Sequence, residues 1–435
     1  MTTTAGPHIF KDVACPFCGL CCDDLTVERS GAQRLMVRAN GCALARRGFE
    51  KAPPRATPLI GNKPATFKEA VAYAADILKG CSQPLFGGMA TDISGAKAVL
   101  QLADGIGGVV DHAASDALFN NLLVLQDGGW MMTTMAEIRN RADLIIFAGT
   151  DAVSNYPRFF ERCVWPKKAL FAPRLRNREV VYLGKGLDTK PGRSPAGRRP
   201  KVIAGDIRHL ADMIGALRSL YHSRPLQAKQ VAGVPVSQLA TLVERIKKAR
   251  YGVFVWAAKE IKEAHGELTV QAICEFIKDI NETSRFSGFS LGGNDNALGA
   301  AQVCTWQSGF PLRTSFATGH PVHDPILYAS RRLMESGEAD ALVWISAFRK
   351  NLKPPGESHG LPTIVLGAPG MTFPRKSVPT PEVYIPVAVP GIDHSGHFVR
   401  TDSVASLPLR RLRETGLPST ADVLTAIENH IKTGA

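Results

Sequence analysis

Residues 143–149 read DLIIFAG, an aspartate and a glycine enclosing five apolar residues with no polar alternation. A strand with one wet face alternates polar with apolar side chains, whereas an unbroken run implies that both faces are covered, as in a parallel sheet flanked by helices. The same kind of run recurs at PLFGG (84–88), GGVVD (107–111), VVYLG (180–184), GVFVWA (252–257), ALVWISA (341–347) and TIVLGA (363–368). Helix-length segments lie between them, among them ISGAKAVLQLADG (93–105) and SQLATLVERIKKA (237–249). Thr66 and Glu69 have capping-box spacing ahead of AVAYAADILK, and Gly80 is a natural stop. This alternation predicts an α/β chain built from doubly wound domains.

The composition agrees. With 435 residues, 45% of them apolar and 21% charged, the chain has the make-up of a soluble globular protein and the length for two or three domains. No apolar run reaches the ~18 residues of a membrane span, and the opening MTTTAGPHIFKDV lacks the layout of a signal peptide. A cytoplasmic protein without a membrane partner is therefore expected. The segment Ala52-Pro53-Pro54-Arg55 cannot continue a helix or a central strand. It divides a small cysteine-rich domain (1–55) from an α/β domain made of 56–140 and 286–435, with a second α/β domain (141–285) inserted.

The formal charge is +13 and unevenly spread: residues 167–201 hold eleven Lys or Arg against Glu179 and Asp188. Such a surface attracts an anion, whether nucleic acid, an acidic subunit or an acidic small molecule. The Gly-, Pro- and Arg-rich part, 185–201, reads as a mobile loop or a solvated connection.

Five of nine cysteines fall in the first 42 residues. In CPFCGLCC (15–22), Cys15 and Cys18 share one turn, Cys22 follows, and Cys42 returns from a later segment, so four thiolates can surround one centre. Such a cage suits an iron–sulfur cluster or a structural zinc; spacing does not choose between them, and unligated thiols are the alternative. Cys21 reads as a bystander pointing away. His320 with His323 and His394 with His397 are loop pairs better read as structural, or as part of a subunit interface, than as zinc ligands. The Gly-rich segment 288–300 matches neither the Walker nor the GxGxxG pattern. No nucleophile elbow occurs, so no catalytic residue is assigned.

The segment CPFCGLCCDDL followed by NGCALARRG resembles the N-terminus of the formylmethanofuran dehydrogenase B-subunit family. AEIRNRADLIIFAGTDAVSNYPR (136–158), QVCTWQSGFPLRTSFATGHPVHDP (302–325) and GIDHSGHFVRTDSV (391–404) resemble it too. The resemblance implies a molybdopterin-oxidoreductase fold without a C-terminal barrel, and a place in a multi-subunit complex. It also implies a 4Fe–4S cluster at the N-terminal cysteines.

Redox members of that family carry a cysteine or selenocysteine metal ligand followed by histidine, shortly after the strand that reads GGVVD here. This sequence has Ala117 and Leu118 there, with Ser115 and Asp116 the only neighbouring polar candidates, and Thr318 where the resemblance implies an arginine. Alanine cannot coordinate a metal and leucine cannot relay a proton. The departures resemble the branch found in formyltransferase/hydrolase complexes of methylotrophic bacteria. That branch implies a non-redox scaffold beside hydrolase, formyltransferase and a further dehydrogenase-like subunit, with no functional tungsten or molybdenum pterin. Its furan-type one-carbon carrier, with an oligoglutamate tail, would be anchored by Lys167, Lys168, Arg174, Arg176 and Arg178, although docking of an acidic partner subunit is an equal use for that surface. The competing readings are an active tungsten or molybdenum dehydrogenase subunit and a zinc-ribbon protein that binds nucleic acid.

Overall fold

The computed structural model describes residues 7–52, 56–171, 177–358, 360–373 and 380–434. They form two compact units, one of Met1–Ser115 with Gly293–Ala435 and the other of Asp116–Gly292. All seven apolar runs become strands, and the mixed α/β class with parallel sheets holds.

The first unit opens with a three-stranded antiparallel sheet, β1 (His8–Val13), β2 (Leu25–Arg29) and β3 (Leu35–Ala39), followed by the short helix α1 (Ala43–Phe49). Its main sheet has nine strands. The centre is parallel, in the order Val109–Val110, Pro84–Ala90, Ala341–Ser346, Thr363–Gly367 and Val383–Pro386. Short antiparallel strands extend both sides, Thr314–Ser315 with Val322–His323 on one and Leu59–Ile60 with Lys63–Pro64 on the other. The Thr66–Glu69 capping box forms and starts helix Phe67–Lys79. Asp92 caps helix Ile93–Ile106, which ends at Gly107 with φ +72, a left-handed conformation that favours glycine. The C-terminal helix Thr420–Thr433, capped by Ser419 and Asp422, packs on both.

The second unit is built on a five-stranded, wholly parallel sheet ordered Lys201–Ile203, Glu179–Leu183, Leu144–Ala148, Gly252–Trp256 and Phe286–Ser290. Alternate side chains such as Leu144, Ile146, Val181 and Phe254 join one core with helices Leu210–Tyr221, Val236–Lys248 and Gly266–Asn281. The opposite face includes the aromatic rings of Phe147, Tyr182 and Phe289. Phe147 stacks on Tyr182 at 5.1 Å and on Phe160 at 5.0 Å, and Phe159 stacks on Phe289 at 5.6 Å.

The segment 185–201 is not an unpinned loop. It makes a turn at Lys190–Gly192, and the Trp165 indole donates to the Pro191 carbonyl at 3.1 Å. A Cβ on Gly192 would lie 2.7 Å from the Tyr182 ring, so only glycine lets the turn seat there. The segment ends in strand Lys201–Ile203.

Candidate functional site

The cysteine loop hangs between β1 and β2. The Cys15 amide donates to the Cys22 carbonyl at 2.8 Å and the Cys21 amide to the Cys18 carbonyl at 3.1 Å, so the loop closes on itself. The Phe17 ring lies over Gly48 of α1, where a Cβ would stand 2.1 Å from it; this close approach seats the loop on the helix that begins after Cys42. The Asn40 side chain donates to the Asp24 carbonyl at 2.8 Å and ties the returning segment to the loop.

Cys15, Cys18 and Cys22 are buried and Cys42 is half-buried. Burial, with Cys22 and Cys42 nearby, pushes the Cys18 thiol up to about 12, and burial followed by Cys18 raises Cys15 as well. The thiols are thus near neighbours. Among the described residues, however, no group of three or more His, Cys, Asp or Glu side chains is gathered closely enough to hold a metal ion. The donor chemistry suits a soft metal, but the sulfurs would have to turn toward a common centre to hold one. Cys21 is fully buried among Ala14, Ala90, Phe348, Phe398 and Leu409.

A second loop meets this one. The Asn294 side chain accepts from the Gly19 amide at 2.9 Å, and the Gly19 carbonyl accepts from the Thr401 amide at 2.8 Å. Asp295 and Asn296 both have positive φ, which Asp and Asn tolerate better than most residues. Asn296, fully buried, donates to the Thr91 carbonyl and accepts from the Val399 amide, each at 2.9 Å. Asp295 pairs with Arg349. The Gly-rich segment is therefore a hub joining the cysteine loop, the end of strand Pro84–Ala90 and the C-terminal segment. Sequence reasoning missed Asn294 and Asn296 as site residues; Asp and Asn following two glycines was the available signal.

The position of the expected metal ligand lies on the first turn of helix Ser115–Gly128, with Leu118 buried and Ala117 half-buried. Ser115 is buried and its hydroxyl accepts from the His112 amide at 3.1 Å; Asp116 is exposed. His112 is buried with both ring nitrogens engaged. Nδ1 accepts from the Ala114 amide at 2.9 Å, and Nε2 donates to the Asp295 carbonyl at 3.2 Å. Burial lowers its pKa, so it is neutral at pH 7. This is a structural histidine. Thr318 is exposed and bonds only locally, donating to the His320 carbonyl at 3.1 Å.

The five expected carrier-binding cations part company. Lys167 and Lys168 are exposed, and Arg174 and Arg176 lie outside the described residues. Arg178 corrects the expectation: it is only 1% exposed, and its guanidinium donates to the carbonyls of Ala142, Cys163, Val164, Ile138 and Arg139. Its donors are turned inward, and it cannot reach a ligand in solvent. Of the two histidine pairs, His323 sits in strand Val322–His323 and His397 in strand Gly396–Val399 rather than in loops, while His320 and His397 are exposed and His394 is half-buried. His323 Nδ1 bonds the Leu312 and Arg313 carbonyls at 2.9 and 3.0 Å.

No family model matches the chain. Curated relatives do. The chain is 26% identical over 426 residues to the B-subunit of the tungsten-containing formylmethanofuran dehydrogenase 2 of Methanocaldococcus jannaschii, covering 91% of this chain and 92% of that one. It is 29% identical over 376 residues to the B-subunit of the formyltransferase/hydrolase complex Fhc of Methylorubrum extorquens, covering 83% and 94%. Among solved structures it matches a chain of the formyltransferase/hydrolase complex FhcABCD from Methylorubrum extorquens in complex with methylofuran. That match has a TM-score of 0.73 at 26% identity, over 87% of this chain and 99% of that one. By sequence and by fold, this chain is similar to the B-subunits of formylmethanofuran dehydrogenase and of the formyltransferase/hydrolase complex.

Proposed function

We propose that the chain is a non-redox, dehydrogenase-like scaffold subunit of a formyltransferase/hydrolase complex in tetrahydromethanopterin-linked one-carbon metabolism. The observation that carries this reading is Ala117 followed by Leu118 on the first turn of helix Ser115–Gly128, within a fold otherwise kept over 87% of the chain. A redox subunit needs a soft ligand there, and neither side chain offers a donor atom. His112, locked neutral between two backbone groups, gives no proton relay to replace one.

In this reading residues 1–55 form a module whose Cys15, Cys18, Cys22 and Cys42 hold a 4Fe–4S cluster or a zinc as a structural clamp. What supports this is the closeness of soft donors, Cys18 lying near Cys22 and Cys42 and Cys15 near Cys18. Lys167 and Lys168, with Arg174 and Arg176, contribute to anchoring a methylofuran-like carrier; Arg178 has no part in it. The partners are hydrolase, formyltransferase and a further dehydrogenase-like subunit.

An activity assay on the purified native complex tests the proposal. Formyl transfer and hydrolysis to formate are expected, with no dye reduction when formyl carrier and an artificial electron acceptor are supplied. Acceptor reduction that copurifies with this chain would overturn it.

A further inference from the structure

The second unit's parallel sheet has two edges of unlike construction. At one, strand Phe286–Ser290 is closed off by residues 131–133: the Gly288 amide donates to the Met131 carbonyl at 2.8 Å and the Thr133 amide to the Gly288 carbonyl at 2.9 Å. At the other, strand Lys201–Ile203 has no strand beyond it among the described residues. Val202 is 43% exposed on that strand.

That strand and the connection leading into it carry cations without counter-charges among the described residues. Lys190, Arg193, Arg199 and Lys201 are exposed and none makes an ion pair among the described residues, whereas Lys185 nearby is held by Asp206 at 3.0 Å. Residues 116–292 contain 27 Lys and Arg against 17 Asp and Glu, a surplus of +10, so most of the chain's +13 lies in this unit. The backbone that carries these cations is ordered. The Arg198 amide donates to the Ser194 hydroxyl at 3.0 Å and the Ser194 amide to the Arg198 carbonyl at 2.9 Å, while Trp165 and Tyr182 pin the turn before them. An ordered backbone loses little chain entropy on binding.

We infer that strand Lys201–Ile203 and its four unpaired cations dock an acidic, extended segment of another subunit of the complex. The segment adds as a further strand and places carboxylates against Lys190, Arg193, Arg199 and Lys201. This rests on the reading of the chain as a subunit of such a complex. The plainer account is that charged residues on an edge strand guard it against unwanted pairing. Guarding accounts for Lys201 on the strand itself, but not for Lys190, Arg193 and Arg199 in the connection before it.

The test is recovery of the native complex through a tag on this chain, at increasing salt. The variants are the reversal K190E/R193E/R199E/K201E and, separately, Val202→Lys, whose exposed site tolerates the change without refolding. Wild-type chain is expected to recover one or more other subunits, with recovery falling as salt rises; the reversal lowers apparent affinity at least 30-fold and Val202→Lys about 5-fold. If wild-type chain recovers no other subunit, the complex itself is refuted. Where wild-type and both variants recover partners equally, the docking surface is overturned and the cations only guard the edge. It is overturned equally if the variants keep their partners and lose only binding of a polyglutamate peptide.

Discussion

Replacing Arg178 by leucine is the sharpest test of its reassignment from surface cation to internal tie. Its guanidinium donates to Ala142 at 2.6 Å, Ile138 at 2.8 Å, Cys163 at 3.0 Å, Arg139 at 3.1 Å and also to Val164. It thereby joins the end of helix Met135–Arg141, the approach to strand Leu144–Ala148 and the π-helical turn Phe160–Val164, from the residue just before strand Glu179–Leu183. Burial pushes its pKa down to about 10, so it remains cationic at pH 7. Leucine would leave these carbonyls short of a donor in a place water does not reach. Removing one buried, charge-assisted network costs about 4 kcal/mol. With a urea dependence of about 2 kcal/mol per molar, the midpoint falls by about 2 M. Trp130, Trp165 and Trp256 all lie in the second unit and report its unfolding through their emission. Arg178→Lys keeps the charge with fewer, differently aimed donors and should fall between. Lys167→Glu with Lys168→Glu, both exposed, should shift the midpoint by no more than about 0.5 kcal/mol equivalent. Equal midpoints for Arg178→Leu and the double lysine reversal would refute the reasoning, especially if Arg178→Leu weakened carrier binding instead.

Two further outcomes follow. Because burial depresses the His112 pKa, the unfolded chain takes up a proton below the ordinary value near 6.5 while the folded chain resists it. Stability should therefore fall as pH drops from 7.5 to 5.5, and His112→Gln should flatten that part of the curve; an unchanged slope in urea titrations at the two pH values would sink the assignment. Cys18→Ser should reduce the iron or zinc recovered with the chain by at least half, because the proposed clamp takes its sulfur as one of four ligands, while Cys21→Ser, within an apolar cluster, should leave the metal content unchanged. Equal metal content in the two variants would argue against the four-cysteine set.

What the sequence disclosed follows from how each element is held together. DLIIFAG and its counterparts were legible because parallel strands covered on both faces need continuous apolar runs. The Thr66–Glu69 box was legible because capping is local. Strand Phe286–Ser290 was not, since Ser287, Gly288 and Ser290 break its run; Gly288 is small because the Trp256 ring lies 2.7 Å from where its Cβ would be. Arg178 misled for the opposite reason. It stands in a run of cations along the chain, and only tertiary structure turns it inward. Asn294 and Asn296 act through partners far along the chain, at Gly19, Thr91 and Val399, which no local pattern announces. The cysteine spacing disclosed the likeness to the formylmethanofuran dehydrogenase B-subunit, while the proposed loss of redox chemistry rests on Ala117 and Leu118.

The central claim, a dehydrogenase-like fold serving without a redox centre, is tested most directly by counting tungsten and molybdenum atoms in the purified native complex, alongside iron and zinc. The account predicts neither tungsten nor molybdenum, with iron or zinc in fixed proportion to this chain. Tungsten or molybdenum at one atom per chain would contradict it.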